Sequence, residues 1–414
     1  MAYKGAIQRG NRVNILPKKS LLLKQYFKPG FWIKPSPALT VLDSNYNLNL
    51  IYDELQAASP CFLGFKVSQT WGKIESRNAQ GVATFNWDFI DYHLDRLSAM
   101  GKYMIFMMPF KNFDGSTGVE GLLPNDLNTS YGTYDAGPPN GTIPISHNYW
   151  TYENSPQQDN LEAKPFGYNL ALQNPEIINR LNYFFSKLAA RYDKHPNFIE
   201  ITTNESASGV SLDPNLATPI SDHEAGIAQM MYVMKNNFKS TMVTADINYS
   251  RTFVADIIPE MISRGIGFGT SNSNLGFGLN RTTPIAAPGV LTYYPFTSDK
   301  IYNIPEIQGA DIRSTTGDDN SKDWPSPAVL VHNVMRLKPN SVVWQRLASA
   351  RVDTVASASQ NNPWLGGGSR QQQPIAIYDW MNANVDANMN IHIVDAAAGL
   401  NYTTNLNKKA PAKY

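Results

Sequence analysis

Two carboxylates that each follow an apolar, strand-like run are the residues of this sequence best suited to chemistry. The stretch Phe198–Ser206 reads FIEITTNES, so Asn204 and Glu205 come directly after such a run. The stretch Lys300–Gln308 reads KIYNIPEIQ and carries Glu306 near its end. If both runs are parallel strands of one barrel, their carboxyl ends lie at the same rim. The sequence therefore predicts a pair of carboxylates at one rim, although an isolated Asn-Glu pair is also a common loop cap.

Hydrolysis of a glycosidic bond is a reaction that needs such a pair. One carboxylic acid protonates the leaving oxygen, and a second carboxylate attacks the anomeric carbon or activates water. Glu205 is the candidate acid and Glu306 the candidate partner. The Asn204 amide could hydrogen-bond a sugar 2-hydroxyl, an interaction that strengthens in the transition state. Tyr293 and Tyr294, just upstream of Glu306, could donate a hydrogen bond to that carboxylate or set its ionisation.

Four further residues are candidates for contact with a sugar. Trp71 and Trp344 follow or end apolar runs, and an indole placed there could stack on a pyranose ring. Either Trp could equally be buried in the core, as aromatic residues commonly are. Asp246 and Asn248 end the fifth strand-like run and could line the site, or they could lie on the surface.

Strands and helices that alternate along the chain must position these residues. Strand-like runs separated mostly by helices predict an α/β fold, and eight of them favour a closed (β/α)8 TIM barrel over an open sheet. The eight runs are Gly30–Lys34, Cys61–Val67, Tyr103–Pro109, Phe198–Ser206, Thr241–Ile247, Ile266–Thr270, Lys300–Gln308 and Ser341–Gln345. The predicted helices are Asn49–Ala57, Trp87–Met100, Asn174–Tyr192, Ile227–Phe238, Phe253–Arg264, Pro327–Leu337 and Ile375–Asn384. This order places Glu205 at the end of the fourth strand and Glu306 at the end of the seventh.

The chain reads as one domain with two short appendages. With 414 residues and 42% hydrophobic content it can bury one large core, within the size range of α/β barrels. We expect a basic arm over residues 1–29, the barrel over 30–400 and an irregular tail over 401–414. The long Gly-, Pro- and Asn-rich segments 110–166 and 271–299 are expected to be loops on the C-terminal face of the barrel.

Composition argues against several classes of partner and cofactor. The formal net charge is +1 and there is no long charged block, which argues against binding to nucleic acid or to anionic lipid. Cys61 is the only cysteine, so the sequence predicts neither an internal disulfide nor a thiolate metal cluster. The histidines have no ligand spacing, and we expect no metal site and no cofactor: His93, His147, His195, His223, His332 and His392.

The amino-terminal region gives an expectation about location. Its apolar patch Leu21–Leu23 is short and flanked by lysines, so it predicts no secretory signal, and no run is long enough for a membrane span. We expect a cytoplasmic protein or one carried in a phage particle, where the arm of residues 1–29 could mediate assembly.

Short motifs in the chain resemble those of a known clan of enzymes. Trp71–Glu75 followed by Gly81–Asp91, the RYDKHP stretch Arg191–Pro196, and the Asn204-Glu205 pair are similar to motifs of the retaining glycoside hydrolases with a (β/α)8 barrel. That grouping includes barrel β-galactosidases, cellulases and agarases. The resemblance covers roughly residues 30–350. It implies that Glu205 is the acid/base and Glu306 the nucleophile, although the residues around Glu306 are only generically similar to the nucleophile strand of the clan.

The sequence therefore predicts a retaining glycoside hydrolase that cleaves β-linked bonds of a neutral oligo- or polysaccharide. Two alternatives stay open at this point. One is a barrel that binds carbohydrate or serves as a structural protein, for example in a phage particle, without cleaving its ligand. The other is a barrel enzyme with unrelated chemistry, because one fold hosts many reactions.

Overall fold

The chain forms a parallel β-barrel surrounded by helices. The computed structural model describes residues 25–35, 48–57, 60–112, 121–127, 142–145, 167–206, 220–247, 251–271, 293–294, 297–307, 326–346 and 379–410. The strands in these ranges are β1 Phe31–Pro35, β2 Phe62–Ser68, β3 Glu75–Arg77, β4 Ala83–Phe85, β5 Tyr103–Met108, β6 Lys111–Asn112, β7 Thr142–Ile145, β8 Gly167–Leu170, β9 Phe198–Thr203, β10 Met242–Asp246, β11 Gly267–Ser271, β12 Asn303–Ile307, β13 Val342–Arg346, β14 Asn390–Asp395 and β15 Leu400–Asn405. The helices are α1 Leu48–Ala57, α2 Trp71–Ile74, α3 Asp88–Ala99, α4 Pro175–Tyr192, α5 Ile220–Asn237, α6 Arg251–Arg264 and α7 Pro327–Met335.

Eight of these strands close into the predicted barrel. Their order around the barrel is β1-β13-β12-β11-β10-β9-β5-β2, which is the order along the chain, and every neighbouring pair is parallel. The predicted (β/α)8 TIM-barrel fold is confirmed, and each of the eight predicted runs contributes one barrel strand. β9 is the fourth of them and β12 the seventh, so Glu205 and Glu306 follow or end the strands to which the sequence assigned them.

The lower part of the barrel interior is an apolar plug. Inward-facing side chains from six strands and from the segment before β1 form one buried cluster, which consists of Tyr26, Trp32, Ile105, Ile199, Met242, Tyr302, Ile304 and Val343. Tyr26 is 1% exposed and lies in this cluster, so the end of the predicted arm is part of the barrel. Burial of apolar surface stabilises this layer by about 25 cal/mol per Å².

The outer face of the barrel packs against amphipathic helices. In α4 the predicted face is buried, with Ile177, Leu181 and Leu188 in the main core. Asn174 is the predicted N-cap, and its side-chain oxygen accepts the Glu176 backbone N–H at 2.9 Å. Such a cap satisfies a donor that the helix itself leaves unpaired. No helix in the described ranges is long and apolar enough to cross a membrane.

The RYDKHP stretch after α4 anchors the next strand. The Asp193 carboxylate accepts the backbone N–H groups of Lys239, Ser240 and Thr241, at distances between 2.9 and 3.1 Å. These residues lead directly into β10. Asp193 is buried, so the carboxylate and the three amides satisfy one another where water is excluded. In this motif, which resembles one of the glycoside hydrolases, Asp193 thus acts as a structural clamp that holds the residues before β10.

Several local predictions differ from the structure. Helix α5 starts at Ile220, seven residues before the predicted start, and the part of the predicted closing helix that is described spans 379–384. The segment 110–166, predicted as a long loop, contains β6 and β7, which pair with β8 in a small antiparallel sheet. Most of the segments 110–166 and 271–299 lies outside the described residues, as does the arm before residue 25.

The prediction of an irregular tail over residues 401–414 is wrong for its first residues, which form a strand. Strands β14 and β15 pair as an antiparallel hairpin, with Asn390 opposite Asn405 and Asp395 opposite Leu400. The chain then returns to the barrel, because Asn340 donates its side-chain amide to the Asn407 carbonyl and Asn407 donates to the Ser298 carbonyl. Cross-strand pairing, which local sequence does not reveal, organises this end of the chain.

We expect Asp193→Ala to destabilise the protein by about 3 kcal/mol, because it leaves three backbone N–H groups without their charged acceptor. Denaturant unfolding of the two proteins measures the difference. The matched control is Asp256→Ala, at an exposed position of α6, which should change the free energy of unfolding by no more than about 0.5 kcal/mol. Equal effects of the two substitutions would contradict the clamp.

Candidate active site

Glu306 is a buried carboxylate held by two lysines. It has no exposed surface and lies one residue before the end of β12. Lys34 of β1 contacts its Oε1 at 2.6 Å, and Lys66 of β2 contacts its Oε2 at 3.0 Å. Burial would raise the pKa of Glu306, but the two ammonium groups lower it to about 2. Glu306 is therefore ionised at neutral pH.

Lys66 joins Glu306 to a second carboxylate. Its Nζ lies 2.8 Å from Oδ2 of Asp246, at the end of β10, and both side chains are almost completely buried. Burial and the nearby Glu306 charge raise the pKa of Asp246, against the opposing effect of Lys66. The two carboxylates in turn keep the pKa of Lys66 above its usual value despite burial. Lys34, Lys66, Asp246 and Glu306 form an ionic cluster inside the carboxyl-terminal half of the barrel.

Glu205 lies two residues after β9, and its side chain is partly buried. The neighbouring Asn204 fixes the segment that follows β5, since its Oδ1 accepts the Phe110 backbone N–H at 3.1 Å. Its Nδ2 lies 3.5 Å from the Lys111 carbonyl oxygen, at the outer limit of a hydrogen bond. The amide that was predicted to bind a sugar hydroxyl thus contacts the backbone of the neighbouring strand connection.

A lysine lies near Glu205, and a histidine lies near that lysine. Burial lowers the pKa of Lys111, in β6, to about 8, against the opposing charge of Glu205. Burial and the Lys111 charge lower the pKa of His223, in α5, to about 3, so its ring is neutral at neutral pH. Neither ring nitrogen of His223 has a hydrogen-bond partner among the described residues. The described ranges contain no group of three or more His, Cys, Asp or Glu side chains placed to hold a metal ion.

Neither a family model nor a curated protein matches this sequence. Among solved structures the chain is similar to the endoglucanase Cel5A from Thermotoga maritima, with 10% identity over 86% of this chain and 99% of that chain and a TM-score of 0.46. It is also similar to a Bacteroidetes-affiliated GH5 cellulase, with 8% identity over 89% of this chain and 95% of that chain and a TM-score of 0.49.

A third similar structure is the β-galactosidase from the psychrophilic Marinomonas ef1, with 9% identity over 76% of this chain and a TM-score of 0.45. This chain spans 53% of that β-galactosidase and 56% of a trimodular GH5_4 endoglucanase. These four structures are glycoside hydrolases. The strand order of this chain by itself shows a closed parallel (β/α)8 barrel, the fold that the sequence resemblance implied.

The two tryptophans predicted as stacking platforms are buried. Trp71 has no exposed surface, packs against Phe184 and donates its indole N–H to Oε2 of Glu75 at 2.8 Å. Trp344, in β13, is 2% exposed and belongs to the main core that the barrel strands share with the helices. Neither ring has an exposed face in this structure. Both tryptophans are therefore core residues, which was the alternative to stacking on a sugar.

The remaining predicted residues lie at different depths. Tyr294 is fully buried against Phe268, with ring centroids 4.4 Å apart, and burial followed by the Asp246 charge raises the pKa of its hydroxyl. Tyr293 is partly buried at the edge of the core. Asn248 lies outside the described residues. Of the predicted set, the barrel brings Asp246 and Glu306 into one ionic cluster.

Sequence reasoning missed the lysines on which that cluster depends. Lys34 and Lys66 occur within the strands FWIKP and FLGFKVS, which were read only as apolar runs. A charged residue in a strand that is otherwise buried on both faces is unusual, since an isolated charge is costly to bury. Glu200, in the strand FIEITT, has the same signal. Such residues indicate inward positions that need a partner on another strand.

We expect Lys66→Met to destabilise the protein by about 3–5 kcal/mol at neutral pH, because it leaves two buried carboxylates without their shared cation. Because the pKa of Glu306 is lower in the folded protein than its ordinary value of 4.5, the ionised carboxylate stabilises the fold at pH values above 4.5. This stabilisation is lost as pH falls from 4.5 towards 2. The difference between wild type and Lys66→Met should therefore shrink over that range. Denaturant unfolding at several pH values measures it, with Lys300→Met at an exposed position as the control.

Proposed function

We propose that the protein hydrolyses β-glycosidic bonds of a neutral oligo- or polysaccharide by a retaining, double-displacement mechanism. The observation that carries this proposal is Glu306, a carboxylate kept ionised at neutral pH by Lys34 and Lys66 near the end of the seventh barrel strand. Glu205 follows the fourth strand at the same end of the barrel. Active sites of (β/α)8 enzymes lie at this end.

In the proposed mechanism Glu306 attacks the anomeric carbon while Glu205 protonates the leaving oxygen. The bond from the anomeric carbon to the leaving group breaks, and an ester bond to Glu306 forms. Water then attacks the anomeric carbon, Glu205 takes its proton, and the ester bond to Glu306 breaks with net retention. A nucleophile must be ionised before it attacks, and the two lysines meet that requirement.

Lys34 would be the residue that a bound substrate displaces from Glu306. Its side chain is 18% exposed, whereas that of Lys66 is 3% exposed, so the Glu306 oxygen next to Lys34 lies on the more accessible side. Each carboxylate oxygen has a further lone pair besides the one that accepts from a lysine. We infer that a bound sugar displaces the Lys34 ammonium from Oε1, while Lys66 continues to hold Oε2.

A second candidate is a barrel that binds carbohydrate, or serves as a structural protein in a larger particle such as a virion, without cleavage. The observation that favours it is the complete burial of Glu306, with a lysine at each oxygen. The engagement of the Asn204 amide with the Phe110 backbone points the same way. In this alternative the ionic cluster only joins β1, β2, β10 and β12.

The experiment that separates the two candidates is a screen of the purified protein on neutral polysaccharides and chromogenic β-glycosides. Release of reducing ends supports the hydrolase, and proton NMR of the first product should show the β-anomer. Binding in affinity electrophoresis with no reducing ends from any substrate would favour the non-cleaving barrel. Release of the α-anomer would contradict the retaining mechanism.

We expect Glu205→Gln to reduce kcat/KM by about 10²–10⁴-fold on substrates with poor leaving groups, the usual contribution of general acid catalysis. The loss in glycosylation should be much smaller on an activated aryl glycoside, which needs little protonation to leave. Glu306→Gln should lose activity on both kinds of substrate. Glu260→Gln, an exposed change in α6, is the matched control and should retain full activity.

A further inference from the structure

A β-bulge turns a third carboxylate into the barrel. In the pairing of β5 with β9, Met104 lies opposite Phe198 and Ile105 lies opposite Glu200, so Ile199 is an extra residue on β9. Ile105 and Ile199 both belong to the apolar cluster of the barrel interior. Regular alternation would point the residue after Ile199 outward, and a bulge changes this direction. Glu200 contacts an inward-facing residue of β10 for this reason.

Glu200 has one neutral partner in the barrel. Its Oε1 accepts the hydroxyl of Thr244 at 2.5 Å, and its Oε2 has no hydrogen-bond partner among the described residues. The side chain is 1% exposed. An ionised carboxylate buried with a single hydroxyl donor would be costly, whereas a protonated acid can accept from Thr244 and keep its own proton.

The charges of the surrounding groups also favour a neutral acid at this position. Lys34 and Lys66 bring two positive charges into the barrel, and Glu306 and Asp246 pair with them directly. Glu200 would be a third negative charge, and in the described part of the chain Lys66, which already pairs with two carboxylates, is the cation that acts on it.

Groups from β2, β5 and β10 surround Glu200. Lys66 favours its ionised form, and the charge of Asp246 opposes ionisation. On the other side, β5 places the apolar Ile105 opposite Glu200. Burial outweighs the effects of Thr244 and Lys66 and raises the pKa of Glu200 to about 8.

The packing around the cluster leaves little room for rearrangement on the side of β11. A Cβ atom at Gly269 would lie 2.4 Å from Oδ1 of Asp246, and one at Gly267 would lie 2.9 Å from Cγ2 of Thr244. Both distances are shorter than real Cβ contacts, so the side chains of Asp246 and Thr244 fit only because β11 has glycines there. A new charge on Glu200 could not be relieved by moving Asp246 towards β11.

We propose that Glu200 is a positioning residue, held as a neutral acid so that Lys66 stays bound to Glu306 and Asp246. When Glu200 loses its proton, Lys66 is drawn towards it and its contact with Glu306 weakens. The part of this inference that concerns activity rests on the proposed function. The part that concerns protonation and stability is independent of any reaction.

The stability test compares wild type with Glu200→Gln, which keeps the shape and removes the titration. The folded protein keeps a proton that the unfolded chain loses near the ordinary value of 4.5, so this contribution to stability falls as pH rises from 4.5 to 8. Relative to Glu200→Gln, the unfolding equilibrium constant of wild type should rise about tenfold per pH unit over this range. The control Glu260→Gln should run parallel to wild type. Parallel curves for wild type and Glu200→Gln would overturn the proposal.

Infrared spectroscopy of the wild type keeps the proposal testable if Glu200→Gln does not fold. At pH 6 the spectrum should contain the carbonyl stretch of a buried protonated carboxyl group, and this band should disappear as pH rises past 8. Absence of the band at pH 6 would overturn the proposal.

If the screen yields a substrate, the pH dependence of kcat tests the positioning role. On an activated aryl glycoside, which needs little protonation by Glu205, wild type should lose activity on the alkaline side near pH 8, and Glu200→Gln should keep its activity there. An unchanged alkaline limb in Glu200→Gln would overturn the positioning role. If no substrate is cleaved, the proposed function fails, while the stability curves and the infrared band still decide whether Glu200 is a neutral acid.

Discussion

The contacts of Lys66 with Glu306 and Asp246 are the interaction on which the upper half of the barrel depends. The effective cost of taking an ion out of water into a protein interior is several kcal/mol, and partners of opposite charge must offset it. Lys66 lies 3.0 Å from one carboxylate and 2.8 Å from the other, so one buried cation stabilises two buried anions. These contacts join three separate strands of the barrel. They also leave Glu306 ionised in a place where burial alone would keep it protonated.

The barrel interior divides into two layers with different physical roles. The lower layer is apolar and is closed from below by Tyr26, so it contributes stability through burial. The upper layer holds Lys34, Lys66, Asp246 and Glu306, whose charges balance only as a set. Preorganised charge of this kind can stabilise charge that develops in a reaction. It is also expensive to build, and a cluster with a purely structural purpose could often be replaced by apolar residues without loss of stability.

The roles of Glu205 and Glu306 depend on side-chain contacts at the carboxyl-terminal end of the barrel. Asn204 links the end of β9 to the segment after β5, and the adjoining Lys111 carries a charge that acts on Glu205. Lys34, which is partly exposed, pairs with Oε1 of the buried Glu306. A catalytic role of Glu306 requires that a substrate displaces Lys34 from its Oε1, whereas a binding or structural role does not. The difference between the two candidates thus lies in one ion pair at the edge of the cluster.

The sequence by itself determined the elements whose signals are local. Alternating apolar runs and helices placed all eight barrel strands, and the Asn174 cap marked the start of α4, because these features depend on residues a few positions apart. It also placed Glu306 in the seventh strand, and it placed Glu205 at the end of the fourth, two residues beyond which the structure has it. Only the tertiary structure decided what these residues touch. Lys66 and Glu306 are 240 residues apart in the chain, and the direction of Glu200 depends on a bulge in its pairing with β5. Strand register and burial are properties of the closed barrel, so no short stretch of sequence contains them.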